Sequence, residues 1–562
     1  MRGVGPVYHA LVKAVAIERT PLHREYATIR PMDAASREIV EVEWQFEARD
    51  LVAVAEWLSK ANVPGYWLRA GKTKQQRDTY WDTADGAISR ARFTCRVRER
   101  GDGAEATMKG TAEARGGMRT RREVTAELPP GATSPAGAPG ECGHLVRVLC
   151  GKQPLVELFT LTQKRQIFLL SDDRGELAEI SLDQSRAERG GLGGEMVRVE
   201  VEVEEGAEER ARRFVDLLVA MGGLTPAETS KFQAAMALTG QEPTPKSPAL
   251  GSTALSPSMT AAEAAYAVLR KHFGVFLANE PSTRLGEDIE GLHDMRVAAR
   301  RLRAAMSAFR PYLPPRFDRF RLELGWVAAA LGVVRDLDVQ IERMEEWRAG
   351  FDESHAHALD GIEQILEHRR GRGRARMLAV LDSRRYALFV ERFSAALRIG
   401  PPHGFEAGAV PALDAGPRLI ERRYRRVRKL GDAISPASPA YEYHTLRIDA
   451  KKLRYALEFF GPLYGKQSLD FSSRVTALQD VLGLHQDAEV AVDMLRDLAE
   501  SDGRRLGPST LMAMGAISER YRQHGAELRG QFPAVYGPLK GKEWKALRAL
   551  MEERMGGRGN VN

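Results

Sequence analysis

Two acidic stretches, far apart in the chain, carry the residue types that could do chemistry. In 38–46, Glu41, Glu43 and Gln45 alternate with Val40, Val42, Trp44 and Phe46; in 197–204, Glu200, Glu202 and Glu204 alternate with valines. Period-two alternation puts each acidic set on one face of a strand. Glutamate is not favoured in strands, and neighbouring carboxylates repel, so such a face sits in water or holds a metal. Between the two lie stretches with cationic faces: Arg96, Arg98 and Arg100 in 93–100, and Lys109 in 106–110. Residues 121–127 alternate again, with Arg121 and Arg122 on opposite faces. Residues 164–170, which include Arg165, and 179–183, which end at Asp183, pattern as a hairpin around 172–175. Carboxylates and guanidinium groups are not buried unpaired. Several strands of both signs therefore suggest a closed barrel whose apolar faces pack outward and whose wet lumen holds a metal and a polyanion. Mg²⁺ or Mn²⁺ would take the carboxylate oxygens, and Arg and Lys would match phosphate oxygens.

The second half has another cationic pattern, and it occurs twice. His293, Arg296, Arg300 and Arg303 fall on one face of a helix; His444, Arg447, Lys451 and Arg454 repeat the spacing at an offset of 151. The same offset pairs Leu331-Gly332 with Leu482-Gly483, Asp336 with Asp487, and Val339 with Val490. An ungapped repeat over some 45 positions marks a duplication. Like charges stacked at helical spacing cost stability. A solvated face does not explain why both copies keep that cost, whereas a shared anion-binding role does. Two more basic runs, 369–376 and 418–429, widen the candidate surface, although the glycines of the first also suit a disordered loop.

These faces need elements to position them. At 562 residues the chain is too long for one core. We divide it into an extension (1–36), a strand-rich domain (37–240), a Pro/Ser/Thr-rich linker (241–258), a helical domain (259–530) and a tail (531–562), helical and then glycine-rich. Asp50 is placed to cap a helix over 50–61. Residues 1–240 hold 34 of the 83 Lys and Arg and 35 of the 76 Asp and Glu, so the basic excess lies in the second half and points to a polyanionic partner. Three scattered cysteines make neither a disulfide framework nor a zinc site. No run approaches the ~18 apolar residues of a membrane span, and no signal peptide is evident. The expected address is cytoplasmic, with polyphosphate granules as a candidate association.

Residues 38–240 resemble the CYTH domain, the triphosphate tunnel metalloenzymes. The resemblance is carried by Glu41-x-Glu43, Tyr80-x-Asp82-Thr83, Arg96-x-Arg98, Lys109, Arg122-Glu123, Arg165, Asp183, Glu200-x-Glu202 and Ser230-Lys231, in that order. It implies an α+β chain whose first domain is an eight-stranded antiparallel β tunnel that hydrolyses a triphosphate or, in one branch, cyclises ATP. It further implies that Glu41, Glu43, Glu200 and Glu202 hold Mg²⁺ or Mn²⁺, and that Glu123 and Asp183 help ligate or orient water. Arg96, Arg98, Lys109, Arg122, Arg165 and Lys231 would grip phosphates. The chain departs from the family at Gln45, where the Glu-x-Glu-x-Lys signature has lysine. Glutamine donates a hydrogen bond but brings no charge.

Residues 259–530 resemble the CHAD domain through 293–303, 335–339, 446–455 and 478–483. This resemblance implies two pseudo-twofold-related four-helix bundles that bind inorganic polyphosphate, with His293, Arg296, Arg300, Arg303, His444, Arg447, Lys451 and Arg454 as contacts. The expectation is metal-dependent hydrolysis of inorganic triphosphate in the tunnel, docked on polyphosphate by the helical domain. One alternative is a silent tunnel in a polyphosphate-binding protein, on the ground of Gln45. A lesser alternative is an adenylate cyclase. Nucleic acid is disfavoured because few aromatics, chiefly Tyr424 and Tyr455, accompany the basic residues.

Overall fold

The computed structural model describes residues 36–241 and 249–556, apart from 102, 113, 115 and 352–355. The expected extension, all but Ser36, lies outside the described residues, as do 242–248 of the linker and 557–562 of the tail. Ten strands occupy the first domain: β1 Arg37–Glu47, β2 Trp67–Ala70, β3 Lys74–Thr83, β4 Phe93–Arg100, β5 Gly103–Gly110, β6 Met118–Glu127, β7 Leu155–Asp172, β8 Gly175–Arg189, β9 Leu192–Val203 and β10 Thr225–Pro226. Eight pair antiparallel in the order β1-β6-β5-β4-β3-β7-β8-β9, and β9 returns to β1 to close a barrel. Strand β2 edges onto β7, and β10 onto β1.

Five helices accompany the barrel: α1 Leu51–Lys60, α2 Ala87–Arg90, α3 Gly140–Cys150, α4 Glu208–Gly222 and α5 Lys231–Leu238. Helix α1 starts where expected, because the Asp50 carboxylate accepts from the Val52 and Ala53 amides at 2.8 and 3.2 Å. The alternation sorts side chains inward and outward. Trp44 and Phe46 pack outward with Val54 and Leu58 of α1 and Phe214 and Leu218 of α4. Cys95, Met108 and Val124 pack outward onto Leu145, Val146 and Leu149 of α3. The three cysteines, scattered in sequence, share this second core, and all are free and buried. Burial pushes the Cys142 and Cys150 thiols up to about 12, so they are inert structural residues.

The second domain is all helical: α6 Ala261–Leu285, α7 Ile289–Ala308, α8 Arg316–Arg348, α9 Asp360–Leu381, α10 Arg384–Ile399, α11 Ala412–Gly431, α12 Ala440–Phe460, α13 Gly465–Asp502, α14 Pro508–Tyr536 and α15 Lys542–Gly556. The offset of 151 maps the start of α6 onto that of α11 and the start of α7 onto that of α12. It also maps the 3₁₀ turn Arg310–Tyr312 onto Gly461–Leu463. The two copies meet through a reciprocal pair of hydrogen bonds. Ala261 N–H donates to Val410 O at 2.7 Å, and Ala412 N–H to Met259 O at 2.9 Å. Exchanging the copies exchanges these bonds, which is the pseudo-twofold relation expected from the repeat.

Two expectations are corrected. The boundary at 530/531 falls inside α14, and α15 belongs to the fold: Trp544 stacks on Tyr424 with centroids 3.7 Å apart, and Leu547 and Met551 are buried in the main helical core. The run 369–376 is not a loop but lies inside α9, where Gly373 packs against Val333 and Val334 of α8.

The two domains touch directly. Arg122 of β6 bonds Glu287 in the α6–α7 connection and also Glu38 of β1. Leu285 at the end of α6 packs against the α3 core. Gly151, in the left-handed region at φ +56°, lies against Asp382 so closely that a Cβ there would collide with its carboxylate. Asp382 in turn accepts from Arg284 at 2.6 Å.

Candidate active site

The barrel encloses a cavity of about 760 Å³ lined by both signs of charge. Strand register explains the lining. Glu41 of β1 stands opposite Arg121 of β6, Gln45 opposite Glu200 of β9, and Lys109 of β5 opposite Glu123 of β6. Arg96, Arg98, Lys109, Arg121, Arg165 and Lys231 supply most of the cations, and Arg37 and Arg100 also line it. Lys231 arrives at one end of the barrel because Ser230 starts α5 there with a reciprocal capping box to Gln233.

Carboxylates set the orientation of these cations. Asp78 of β3 accepts from Arg98 at 2.7 and 2.8 Å and from Arg96 at 3.3 Å. Asp183 accepts from Arg165 Nε and Nη2 at 2.8 and 2.7 Å and from Lys231 at 2.6 Å. Glu200 bonds Arg165 at 2.6 Å and lies 3.0 Å from Lys231. Burial opposes its charge, but Lys231 and Arg165 outweigh burial and hold its pKa well below the ordinary range. Glu43 is held by Arg121 and by the Gln45 amide at 2.7 Å. Glu41 pairs with Lys109 and sits 3.6 Å from Arg121. Glu123 lies 3.2 Å from Lys109; burial raises its pKa, yet Lys109 and Arg96 bring it below the usual carboxylate value.

Glu202 differs from all of these. It faces the cavity without an ion pair among the described residues, and burial together with Glu41 pushes its pKa up to about 7. A half-buried carboxylate beside other carboxylates, with no cation of its own, is where a metal would relieve repulsion. No three His, Cys, Asp or Glu side chains among the described residues converge closely enough to hold one alone. The site therefore fits a hard cation held by Glu202, with Glu41 as a second ligand shared with Lys109, and completed by phosphate oxygens, as Mg²⁺ is commonly bound.

A second cationic site lies in the helical domain. Arg296 and Arg300 of α7 and Arg447 and Arg454 of α12 surround Lys451; burial and these four arginines press its pKa down to about 8. Arg300 crosses between the copies to donate to the Tyr455 hydroxyl at 2.8 Å. Arg296 is 2.8 Å from Asp336.

Comparison with known proteins decides between folds that could present such faces. The CYTH domain model matches residues 65–235, and the CHAD domain model matches residues 267–496. The chain carries a CYTH domain followed by a CHAD domain. Among solved structures it is similar to the CHAD domain from the plant Ricinus communis, with 26% identity over 50% of this chain and 93% of that one, at a TM-score of 0.43. It is also similar to a protein from Hippeastrum described as a putative adenylyl cyclase with a dominant triphosphatase activity. That match has 19% identity, covers 36% of this chain and 96% of that one, and has a TM-score of 0.28. A third is the Pct1 RNA triphosphatase of S. pombe, with 13% identity, 41% and 97% coverage and a TM-score of 0.19. No curated protein matches.

In the CYTH domain, eleven of the twelve expected site residues gather in or directly beneath the lumen. Arg122 does not: it points outward to Glu38, Glu141 and Glu287, while its neighbour Arg121 faces the carboxylates. Asp183 sits under the lumen with both oxygens engaged by Arg165 and Lys231. Of the quartet Glu41, Glu43, Glu200 and Glu202, the first three are ion-paired, Glu41 with Lys109, Glu43 with Arg121 and Glu200 with Arg165 and Lys231, and Glu202 has no ion pair among the described residues. Asp82 and Thr83 turn out to be structural: Asp82 accepts from the Ile88 and Ser89 amides at 2.8 and 2.9 Å, and Thr83 from the Ala87 amide at 2.8 Å, so both start α2. Asp78 went unnoticed in the sequence; its place two residues before Tyr80, on the same strand face, was the available signal.

In the CHAD domain, Arg296, Arg300, Arg447, Lys451 and Arg454 form one cluster. His293 is a partly buried neighbour of Arg335. His444 turns to Gln486 of α13. Arg303 is exposed beside Gly325 of α8.

Proposed function

We propose that the CYTH tunnel hydrolyses inorganic triphosphate with the help of Mg²⁺ or Mn²⁺, and that the CHAD domain binds inorganic polyphosphate. The observation that carries this reading is the lumen's division of labour. Of the eight lysines and arginines that line the cavity, Arg96, Arg98, Lys109, Arg121, Arg165 and Lys231 are aimed by inward-facing carboxylates, while Glu202 has no ion pair among the described residues. Phosphoryl transfer needs positioning and charge stabilisation more than covalent chemistry, and this lumen supplies both. Arg96, Arg98, Lys109, Arg121, Arg165 and Lys231 bind the phosphate oxygens. Asp78 and Asp183 fix the guanidinium planes and so lower the ordering cost of binding. Glu123, kept ionised by Lys109 and Arg96, orients the attacking water. Glu41 and Glu202 would hold the metal, which when bound neutralises phosphate charge and lowers the pKa of water.

The test is ³¹P NMR of inorganic triphosphate incubated with the protein and Mg²⁺ or Mn²⁺, with ATP alongside. Conversion to pyrophosphate and phosphate supports the reading; cyclic AMP from ATP would favour a cyclase. A second reading, a silent phosphate-receptor tunnel, is favoured by Gln45, whose amide ties down Glu43 and Glu200 where the family has a cation. Tight triphosphate binding without products would support it.

A further inference from the structure

The duplication provides an internal control for surface charge. A feature that the fold requires appears in both copies; one that appears in a single copy has another cause. Helices α6 and α11 correspond at the offset of 151 and bury the same positions: Leu269 with Ile420, Phe273 with Tyr424, and Phe276 with Val427. Their outward faces differ. On α11, Arg418, Arg422, Arg425, Arg426 and Lys429 are all exposed. Their counterparts on α6 are Ala267, Lys271, Gly274, Val275 and Ala278, so one cation faces five. Helix α15, packed on α11 through the Trp544–Tyr424 stack, adds exposed Lys540 just before it and Lys542, Lys545 and Arg548 on it. Of the acids on this surface, Glu421 and Asp432 each pair with two cations, Glu543 pairs with Arg474 and Glu552 with Arg548, and Glu553 is exposed, so the cations outnumber the acids.

This stripe is continuous with the cluster around Lys451. The next residue, Lys452, bonds Asp449 at 3.0 Å, and Asp449 is also 3.4 Å from Arg426 of α11. A row of cations therefore runs from the shared cluster, over α12, onto one outer face only. Like charges at i, i+4 and i+7 destabilise a helix, and the first copy shows that the fold does not need them.

We infer that the α11–α15 face is a second binding segment for long inorganic polyphosphate chains. It extends, on one side of the domain, the segment formed by the cluster around Lys451; the inference rests on the polyphosphate reading of the CHAD domain. The occupant follows from the chemistry of the face. No tryptophan, tyrosine or phenylalanine is exposed on it, so it offers no platform for nucleobases. Nor does it offer exposed apolar residues to enter a bilayer. It offers only charge at a regular spacing, which is what a featureless polyanion requires.

Chain-length dependence of binding tests this. Full-length protein and the variant Arg418→Gln/Arg422→Gln/Arg425→Gln are titrated with inorganic polyphosphate of about ten units and of several hundred units, at two salt concentrations. A second variant, Lys429→Gln/Lys545→Gln/Arg548→Gln, guards against misfolding of the first. The wild type is expected to bind long chains at least about tenfold more tightly than short ones, as linked segments do, with a steeper salt dependence. Both variants are expected to lose that advantage and to bind short chains within about twofold of wild type. Unchanged long-chain affinity in both variants overturns the second segment while leaving the CHAD reading intact. Loss of duplex RNA binding in the variants, with long-chain polyphosphate binding unchanged, reassigns the face to nucleic acid. If the wild type binds neither chain length, the polyphosphate reading itself falls, and the inference with it.

Discussion

Gln45 and Glu200 stand directly opposite each other on β1 and β9, and the Gln45 amide nitrogen donates to Glu200 at 3.0 Å and to Glu43 at 2.7 Å. One neutral donor thus holds two buried carboxylates at the position where related tunnels carry lysine. Because Arg121 already neutralises Glu43, and Lys231 with Arg165 neutralise Glu200, lysine at 45 would add a charge to a filled network. Gln45→Lys is expected to change triphosphate turnover by no more than about tenfold, well short of the 10²–10³ typical of losing an essential electrostatic donor. Gln45→Ala leaves both carboxylates short of a donor and is expected to cost about 1–3 kcal/mol in urea unfolding. A gain above a hundredfold in Gln45→Lys would show that the natural tunnel is crippled.

Arg121 and Arg122 are adjacent but face opposite sides of β6, and their variants separate the two roles. Arg121→Ala is expected to lower kcat/KM for triphosphate by about tenfold or more. Arg122→Ala breaks a partly exposed pair between domains and is expected to cost about 1 kcal/mol or less of stability, with kcat/KM within about twofold of wild type. Steady-state kinetics of the two side by side check this.

The raised pKa of Glu202 sets a pH dependence with a definite sign. Its carboxyl titrates near 7 in the fold against an ordinary value of 4.5, so the native state binds more protons than the unfolded state between those values. Stability of the metal-free protein therefore falls as pH rises through that window. A bound cation favours the ionised form, so Mg²⁺ affinity rises with pH up to about 7 and levels off above it. Thermal unfolding at pH 5 and pH 8, with and without Mg²⁺, reads both effects. Glu202→Gln is expected to abolish the Mg²⁺-dependent stabilisation.

Lys451 gives the opposite handle on the CHAD domain. With its pKa pressed down to about 8, the proposed polyphosphate binding is expected to weaken as pH rises through 8, because the lysine loses its charge. The unliganded fold becomes more stable over the same rise, since the unfolded lysine keeps its proton to a higher pH. Lys451→Gln is expected to flatten the affinity profile measured from pH 6.5 to 9.

Much of this was legible in the sequence. Alternation at Glu41-Glu43-Gln45 and at Glu200-Glu202 placed both acidic strands and their lumen face, and the repeat at 151 placed the two helical copies. Register between distant strands was not legible. Nothing local says that Glu41 faces Arg121 or that Asp183 lies beneath Arg165 and Lys231, so the ion pairs that engage Glu41, Glu43 and Glu200, three of the four expected metal ligands, were not legible. The tail was misjudged because its closing glycines signal an end, while Trp544, Leu547 and Met551 find their partners on helices far away in the chain.

The most direct test is phosphate release from inorganic triphosphate by the purified full-length protein, with Mg²⁺, with Mn²⁺ and with chelator. It is run beside Glu41→Ala/Glu202→Ala. Metal-dependent release in the wild type, reduced at least about a hundredfold in the double variant, is the expected result. Release that survives both chelator and the double variant, or no release by a wild type that binds triphosphate tightly, would contradict the account.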